Sequence, residues 1–267
     1  MKLDASISSQ FTSSIMVGST RADKPTFIRH IGGVVSRGYI RITAHVLEWF
    51  GVHTEIGEDF KQVEVHPSRL KPVDVKIEGD YSSAAFLLAA GAIGGHVEVG
   101  NLNPQSLQPD CEVLNVLKSA GCYVELGGDT AKVGGGVNEG FDVDVTETPD
   151  LAPVLGVIAA YAKGESRIRG VGRLVFKESN RVDTIVGMLK GIGVDARFDG
   201  EAILVKGGRI RGGLVNSHGD HRIALAAAVA AVGAHKPIMV RGFECYSKSY
   251  PRFLEDYTSI GGRARIV

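Results

Sequence analysis

Apolar positions along this chain fall into helical blocks that stop at a glycine, each followed by a short alternating stretch. Residues 45–51, 116–121, 188–193 and 256–261 end alike, on Gly51, Gly121, Gly193 and Gly261. Those glycines stand 70, 72 and 68 residues apart. A β-rich stretch follows each of them, at 52–56, 122–126, 194–198 and 263–267. Glycine tolerates the left-handed turn that closes a helix, so the pattern predicts an apolar-faced helix feeding a strand, four times over. The period exceeds that of the common helical solenoids and fits a supersecondary unit with several strands and helices.

Each module reads as strand, loop, helix, strand, strand, helix. In the third, a buried helix is predicted over 150–163, stopping at Gly164, with Leu151, Val154, Leu155, Val157, Ile158 and Ala159 apolar. A strand at 166–169 and a loop at 170–177 follow, then a helix at 178–192 and strands around 194–198 and 202–205. The fourth module repeats this with a helix at 220–233, a strand at 237–240, a loop at 242–248 and a helix at 250–260. The second has helices at 81–93 and 110–120 around a strand at 96–99. The stretches 84–93 and 223–232 are apolar on all sides, and such helices must be surrounded by protein. The expected class is therefore α/β, with helices inside and sheets outside.

Residues 74–79 read as a crossover, with one module before and three after. Three modules closing around a pseudo-threefold axis make a complete domain, whereas one module needs neighbours to cover its apolar face. The expected division is 1–77, the last module of an incomplete first domain, and 78–267, a three-module second domain. One domain and a third of another is the arithmetic of a truncated or split protein.

Composition narrows the function. Lys and Arg balance Asp and Glu at 30 each, so no overall field draws in nucleic acid or an anionic membrane. The longest apolar stretches are too short to span a bilayer, and no charged leader followed by an apolar core opens the chain. Cys111, Cys122 and Cys245 show no metal or redox spacing and read as reduced thiols of a cytoplasmic protein. Glycine supplies 35 of 267 residues against a usual ~7%, placed at helix ends and tight connections.

The chemistry gathers in the loops before the second helix of each module. The first holds Arg29, His30, Ser36 and Arg37; the third holds Arg173, Lys177, Glu178, Ser179, Asn180 and Arg181; the fourth holds Glu244, Ser247 and Lys248. Two further clusters are Ser6-Ile7-Ser8-Ser9-Gln10 and Ser217-His218-Gly219-Asp220-His221-Arg222. Each sets a hydroxyl or cation at a helix N-terminus, where free N–H groups and the macrodipole favour anions. Taken singly these are ordinary caps and solvated charges. Together, Lys177, Arg181, Arg222 and Lys248 come from corresponding ends of repeated units, which pseudosymmetry brings to one face. Four cations with the carboxylates Asp150 and Glu178 suit a multiply anionic substrate undergoing proton transfer.

The segments Lys177-Glu178-Ser179-Asn180-Arg181, Gly219-Asp220-His221-Arg222, Ser8-Ser9-Gln10-Phe11 and Lys248-Ser249-Tyr250-Pro251 resemble the 5-enolpyruvylshikimate-3-phosphate synthase family, in order and spacing along the whole chain. The resemblance implies the enolpyruvyl transferase fold and matches the C-terminal three-fifths of the family chain. It implies transfer of the enolpyruvyl group of phosphoenolpyruvate to the 5-hydroxyl of shikimate 3-phosphate, with release of phosphate. Ser8, Ser9 and Ser36 would hold the 3-phosphate, with Lys177 near it; Gln10, Tyr39 and Asp150 would contact the ring and its reacting hydroxyl. Arg181, Arg222 and Lys248, with Gln10, would grip phosphoenolpyruvate. Asp150, Glu178 and Lys177 would be catalytic, with Asp150 on the hydroxyl side and Glu178 on the C3 side. No metal or other cofactor is implied. The family's remaining lysine, serine and arginines lie in segments this sequence does not hold, so an N-terminal complementing segment is an expected partner and the isolated chain is expected to be inactive. Val175 stands where many members carry arginine, with Arg173 close by, and Asn180 replaces a frequent aspartate.

Two other readings start from the same residues. One is a non-catalytic module that binds phosphate anions; the intact charged set argues against it. The other is a different enzyme on the same architecture, a UDP-sugar enolpyruvyl transferase or an RNA 3′-phosphate cyclase. Zero net charge counts against RNA, and none of the three cysteines occupies a motif suited to the UDP-sugar enzyme.

Overall fold

The four module-closing glycines adopt the left-handed turn that the sequence pattern requires. In the computed structural model, which describes residues 1–265, Gly51, Gly121, Gly193 and Gly261 have φ of 82°, 78°, 87° and 96°. At each, the glycine N–H donates three residues back and the next N–H five residues back. Val52 N–H thus reaches the Leu47 carbonyl at 3.0 Å, and Val194 N–H reaches Leu189 at 2.9 Å. The double closure satisfies carbonyls that a helix end otherwise leaves open.

The chain forms two compact units, Met1–Ile77 with Leu107–Pro109, and Glu78–Ser106 with the chain from Asp110 onward. The first carries β1 (Lys2–Asp4), α1 (Gln10–Ser19), β2 (Thr26–Ile31), α2 (Arg37–Trp49), β3 (Thr54–Ile56) and β4 (Gln62–Val65). Its sheet runs β1-β2-β4-β3, with β1 parallel to β2 and the other pairs antiparallel. Ile28, Val63 and Val65 from the sheet and Met16, Ile40, Ala44 and Leu47 from the helices fill its core.

The second unit continues with α3 (Tyr81–Gly94), β5 (His96–Val99), α4 (Val113–Ser119), β6 (Tyr123–Gly127) and β7 (Thr130–Gly134). Next come β8 (Asp142–Asp144), α5 (Ala152–Tyr161), β9 (Glu165–Arg169), α6 (Arg181–Gly191), β10 (Asp195–Phe198) and β11 (Ile203–Lys206). It closes with β12 (Gly213–Asn216), α7 (His221–Ala230), β13 (Ile238–Arg241) and α8 (Phe253–Ser259). Helices α3, α5 and α7 pack against one another, and each lies on strands of its own module. All three are apolar nearly all round and buried accordingly. The Tyr161 hydroxyl on α5 donates to the Ala230 carbonyl at 2.6 Å and accepts from Gly233 N–H at 3.1 Å, pinning α5 to the end of α7. The α/β class with buried helices and outer sheets follows directly from that apolar character.

Periodicity missed one strand in three of the four modules. Strands β1, β8 and β12 precede a helix and run parallel to the strand after it. Lys2-Leu3-Asp4 and Asp142-Val143-Asp144 hold one apolar residue each, too few to show alternation. The loops expected at 170–177 and 242–248 are 3-10 turns, Val171–Phe176 and Phe243–Lys248, each entered through a left-handed glycine. Strand β2 extends to Ile31, so His30 is a buried sheet residue bonded to the Thr12 hydroxyl at 2.8 Å and is not part of a polar loop. The helix expected from Glu178 begins at Arg181. Arg263–Arg265 form no strand, and Ile266 and Val267 of that expected strand lie outside the described residues. Among the described residues the fourth module's sheet, β12-β13, has two strands, whereas its siblings β5-β7-β6 and β10-β11-β9-β8 have three and four. Among the described residues no helix is long and apolar enough to cross a membrane.

Candidate active site

Asp80, Asp150 and Asp220 stand 70 residues apart, each at the start of a buried helix of the second unit. Asp80 caps α3, accepting from the Ser82 and Ser83 N–H groups at 3.0 and 3.1 Å. Asp220 caps α7 by accepting from Arg222 N–H at 3.0 Å. Asp150 breaks the pattern. It sits in the 3-10 turn Pro149–Leu151 that leads into α5, and its carboxylate receives cations instead of helix amides. Arg181 Nη1 donates to it at 2.7 Å, Lys177 Nζ lies 3.2 Å away, and Arg222 Nη2 donates at 3.2 Å.

Arg181 organises the rest. Its side chain is fully buried at the first position of α6, beside the start of α7. Nε donates to Asp220 at 2.8 Å, Nη2 to Asp220 at 3.3 Å and to Glu178 at 2.5 Å, and Nη1 to Asp150. Asp220 is also fully buried and accepts the Ser179 hydroxyl at 3.0 Å. A planar guanidinium with donors on three edges suits three converging carboxylates, and a buried charge demands such compensation. Lys248 Nζ donates to the Gly219 carbonyl at 3.1 Å, at the same helix start. The second unit therefore brings together Asp150, Lys177, Glu178, Arg181, Arg222 and Lys248, as the sequence pattern expects. Asp220 and Ser179 complete the cluster, and their part in it was not assigned from sequence. The signal for Asp220 was the 70-residue spacing itself.

Three cations pair with three carboxylates, and Lys248 at the same helix start leaves one positive charge in surplus. Burial favours the neutral form of Asp150, but Arg222, Lys177 and Arg181 overcome it and hold the carboxyl well below the usual range. Asp220 is lowered likewise, burial being outweighed by the hydrogen bond and charge of Arg181, with Ser179 and the Arg222 N–H adding to them. His221, next on α7, moves down through burial and the charge of Arg222, which outweigh Glu178 and Asp220. Its Nδ1 is buried without a hydrogen-bond partner among the described residues.

These shifts set a pH dependence. The fold resists protonating His221, so as pH falls past the ordinary histidine value of about 6.5 the unfolded chain takes up that proton first and stability falls. The two aspartates act at lower pH: their ionised forms stabilise the fold above an ordinary carboxylate value of about 4, and that contribution is lost as pH falls below it. We expect the thermal midpoint to drop between pH 7.5 and 5.5, and His221→Gln to flatten that slope. An unchanged slope in the variant removes His221 as its cause.

The first unit holds the other expected residues. Ser8, Ser9 and Gln10 lead into α1, with the Ser8 hydroxyl accepting from Gln10 N–H at 3.2 Å and Ser9 buried at the N-cap. Ser36 precedes α2 in a left-handed conformation with φ 49°, uncommon for a residue with a side chain. Val35 N–H donates to the Ala5 carbonyl at 3.4 Å, which sets the two helix entries side by side. Tyr39, half-buried, lies in the first turn of α2 and donates its N–H to the Ser36 carbonyl at 3.1 Å. These serines stand at two neighbouring helix N-termini, where free N–H groups favour anions. Of the departures noted in the sequence, Arg173 donates to the Thr146 carbonyl at 2.8 Å, and Val175 is exposed.

Comparison with known proteins identifies the family. The model of the EPSP synthase family, described as 3-phosphoshikimate 1-carboxyvinyltransferase, matches residues 1–257. A 3-phosphoshikimate 1-carboxyvinyltransferase of Aeropyrum pernix is 45% identical over 100% of this chain and 62% of its own length. One of Thermococcus kodakarensis is 40% identical over 96% of this chain and 62% of its own. Among solved structures, EPSP synthase from Acinetobacter baumannii superposes with a TM-score of 0.80 at 24% identity, covering 98% of this chain and 62% of that one. The enolpyruvyl transferase NikO from Streptomyces tendae gives 0.68 at 18% identity, covering 91% and 57%. The chain thus spans about three-fifths of the length of the curated relatives it matches.

Proposed function

The chain belongs to the EPSP synthase family, and on that premise we propose that it carries the residues that move the enolpyruvyl group of phosphoenolpyruvate onto the 5-hydroxyl of shikimate 3-phosphate. The observation that supports this most is Asp150 held by Lys177, Arg181 and Arg222 within a cluster of surplus positive charge. The reaction is addition followed by elimination. The hydroxyl oxygen bonds to C2 of phosphoenolpyruvate as C3 takes a proton; the resulting ketal then loses phosphate and a C3 proton, restoring the double bond. Two carboxylates in different settings fit two proton transfers. Asp150 takes the hydroxyl proton, and Glu178, the more exposed of the two, serves C3.

The cations link binding to chemistry. Held by three positive charges, Asp150 is ionised but a weak base. An arriving phosphate or carboxylate draws Lys177 and Arg222 toward itself, which lifts the basicity of Asp150 at the moment a base is needed. A direct grip of Arg181 on phosphoenolpyruvate requires it to release a carboxylate. Glu178, less buried than Asp150 or Asp220, is the one free to turn toward the substrate.

In the first unit, Ser8, Ser9 and Ser36 take the 3-phosphate, and Gln10 and Tyr39 contact the ring. The proposal includes a further segment as partner, supported by the two-stranded sheet of the fourth module and the share of the relatives' length that the chain spans. A cytoplasmic setting also belongs to it, supported by three free cysteines.

Charge-assisted hydrogen bonds contribute about 1.5–3 kcal/mol each. Lys248→Ala and Arg222→Ala should therefore weaken phosphoenolpyruvate binding roughly tenfold to hundredfold while leaving shikimate 3-phosphate binding nearly intact. The double variant Ser8→Ala with Ser9→Ala should do the reverse. Isothermal titration of each substrate checks both, and equal loss of the two ligands in either variant refutes the division of the site.

A further inference from the structure

We propose that the β3–β4 ribbon of the first unit carries a divalent transition-metal site formed by His53, Glu55 and His66, with Glu64 beside it. The register makes the site. Glu55 stands opposite Glu64 across the antiparallel pair, and His66 N–H donates to the His53 carbonyl at 3.0 Å. Residues two apart on a strand share a face. Thr54, Val63 and Val65 are buried on the core face, so His53, Glu55, Glu64 and His66 line up on the other.

The distances suit one ion. His53 Nε2 lies 3.1 Å and His66 Nε2 3.9 Å from the same Glu55 Oε1, and the three ligand atoms all fall within 4.8 Å of one another. Ligands about 2.0–2.2 Å from a tetrahedral zinc are separated by roughly 3.4 Å, a value the two observed distances bracket. The two imidazole rings face each other at 5.2 Å, tilted by 38°. His66 supplies the independent sign. Its Nε2 is shielded from solvent, yet makes no hydrogen bond among the described residues. Glu64 Oε1 lies 3.0 Å away, within ion-pair range. That leaves a shielded ring nitrogen set against two carboxylates, an arrangement that a bound cation resolves.

Donor chemistry names the class. Two imidazoles and a carboxylate, without thiolate, favour zinc, copper, nickel or iron over magnesium or calcium. None of these residues is among those assigned to enolpyruvyl transfer, so the ion serves the ribbon, tying β3 to β4 across the turn at 57–61 and stabilising the fold by mass action.

The test is calorimetric titration of Zn(II) into the metal-stripped chain, with Mg(II) as control. One saturable Zn(II) site per chain, no Mg(II) binding and a rise of the thermal midpoint with Zn(II) are expected. The double variant His53→Ala with His66→Ala should bind at least about 10–100-fold more weakly, the range seen when mere outer-shell partners are removed, while its midpoint without metal stays put. Co(II) should give visible absorption in the native chain and lose it in the variant. Unchanged Zn(II) affinity in the variant, equal binding of Mg(II), or no saturable site would overturn the proposal.

Discussion

Arg181→Met destabilises the second unit by about 3–5 kcal/mol, the scale expected when one partner of a buried ion pair is removed. The size follows from what remains behind. Asp220 is fully buried and, among the described residues, would keep its charge with only the Ser179 hydroxyl and the Arg222 N–H. Asp150 would lose the nearest of its three cations. Denaturant titration should show a lower midpoint at unchanged slope. Adding Asp220→Asn should recover part of the loss, because the two substitutions act on one network and are not additive. The exposed pair Arg252 and Glu255, at 3.0 Å with side chains 75% and 70% accessible, is the internal control, where substitution should move stability by about 0–1 kcal/mol. If Arg181→Met costs no more than that control, the cluster is not held together by its buried arginine.

Asp150→Asn should lower kcat by about 10²–10⁴, the usual contribution of a positioned general base, in the chain complemented by the remaining part of the relatives' length. The KM values give the sharper signature. Removing this carboxylate releases Lys177, Arg181 and Arg222 from a competing anion. The substrates should therefore bind at least as tightly as before. A rise in KM with kcat unchanged would mean that Asp150 holds substrate and moves no proton.

The sequence showed the repeat and the charged cluster of the second unit, because both leave marks that local physics enforces. A glycine with φ near 80–90° cannot be replaced cheaply at a helix end, so the four closures stand out. Helices α3, α5 and α7 are apolar all round because they are surrounded, and that too can be read directly. The parallel edge strands were hidden, since three residues such as Asp142-Val143-Asp144 owe their conformation to the neighbouring β9. The grouping of Lys177, Glu178, Arg181, Arg222 and Lys248 was legible from repeat correspondence. The inward turn of Arg181 was not, because a motif gives residue types without their partners. Asp80, Asp150 and Asp220 share one repeat position, yet two cap helices while the third, displaced by the Pro149–Leu151 turn, receives cations. The pairing of Glu55 with Glu64 likewise depends on cross-strand register, which a single strand does not encode.

The most direct test of the account is phosphate release from phosphoenolpyruvate in the presence of shikimate 3-phosphate, by the chain alone and with a polypeptide supplying the rest of the relatives' length. The account predicts release in the complemented sample, requiring both substrates and lowered at least about 100-fold by Asp150→Asn. Release that continues unchanged in Asp150→Asn, or no release from a folded, complemented chain that binds both substrates, contradicts it.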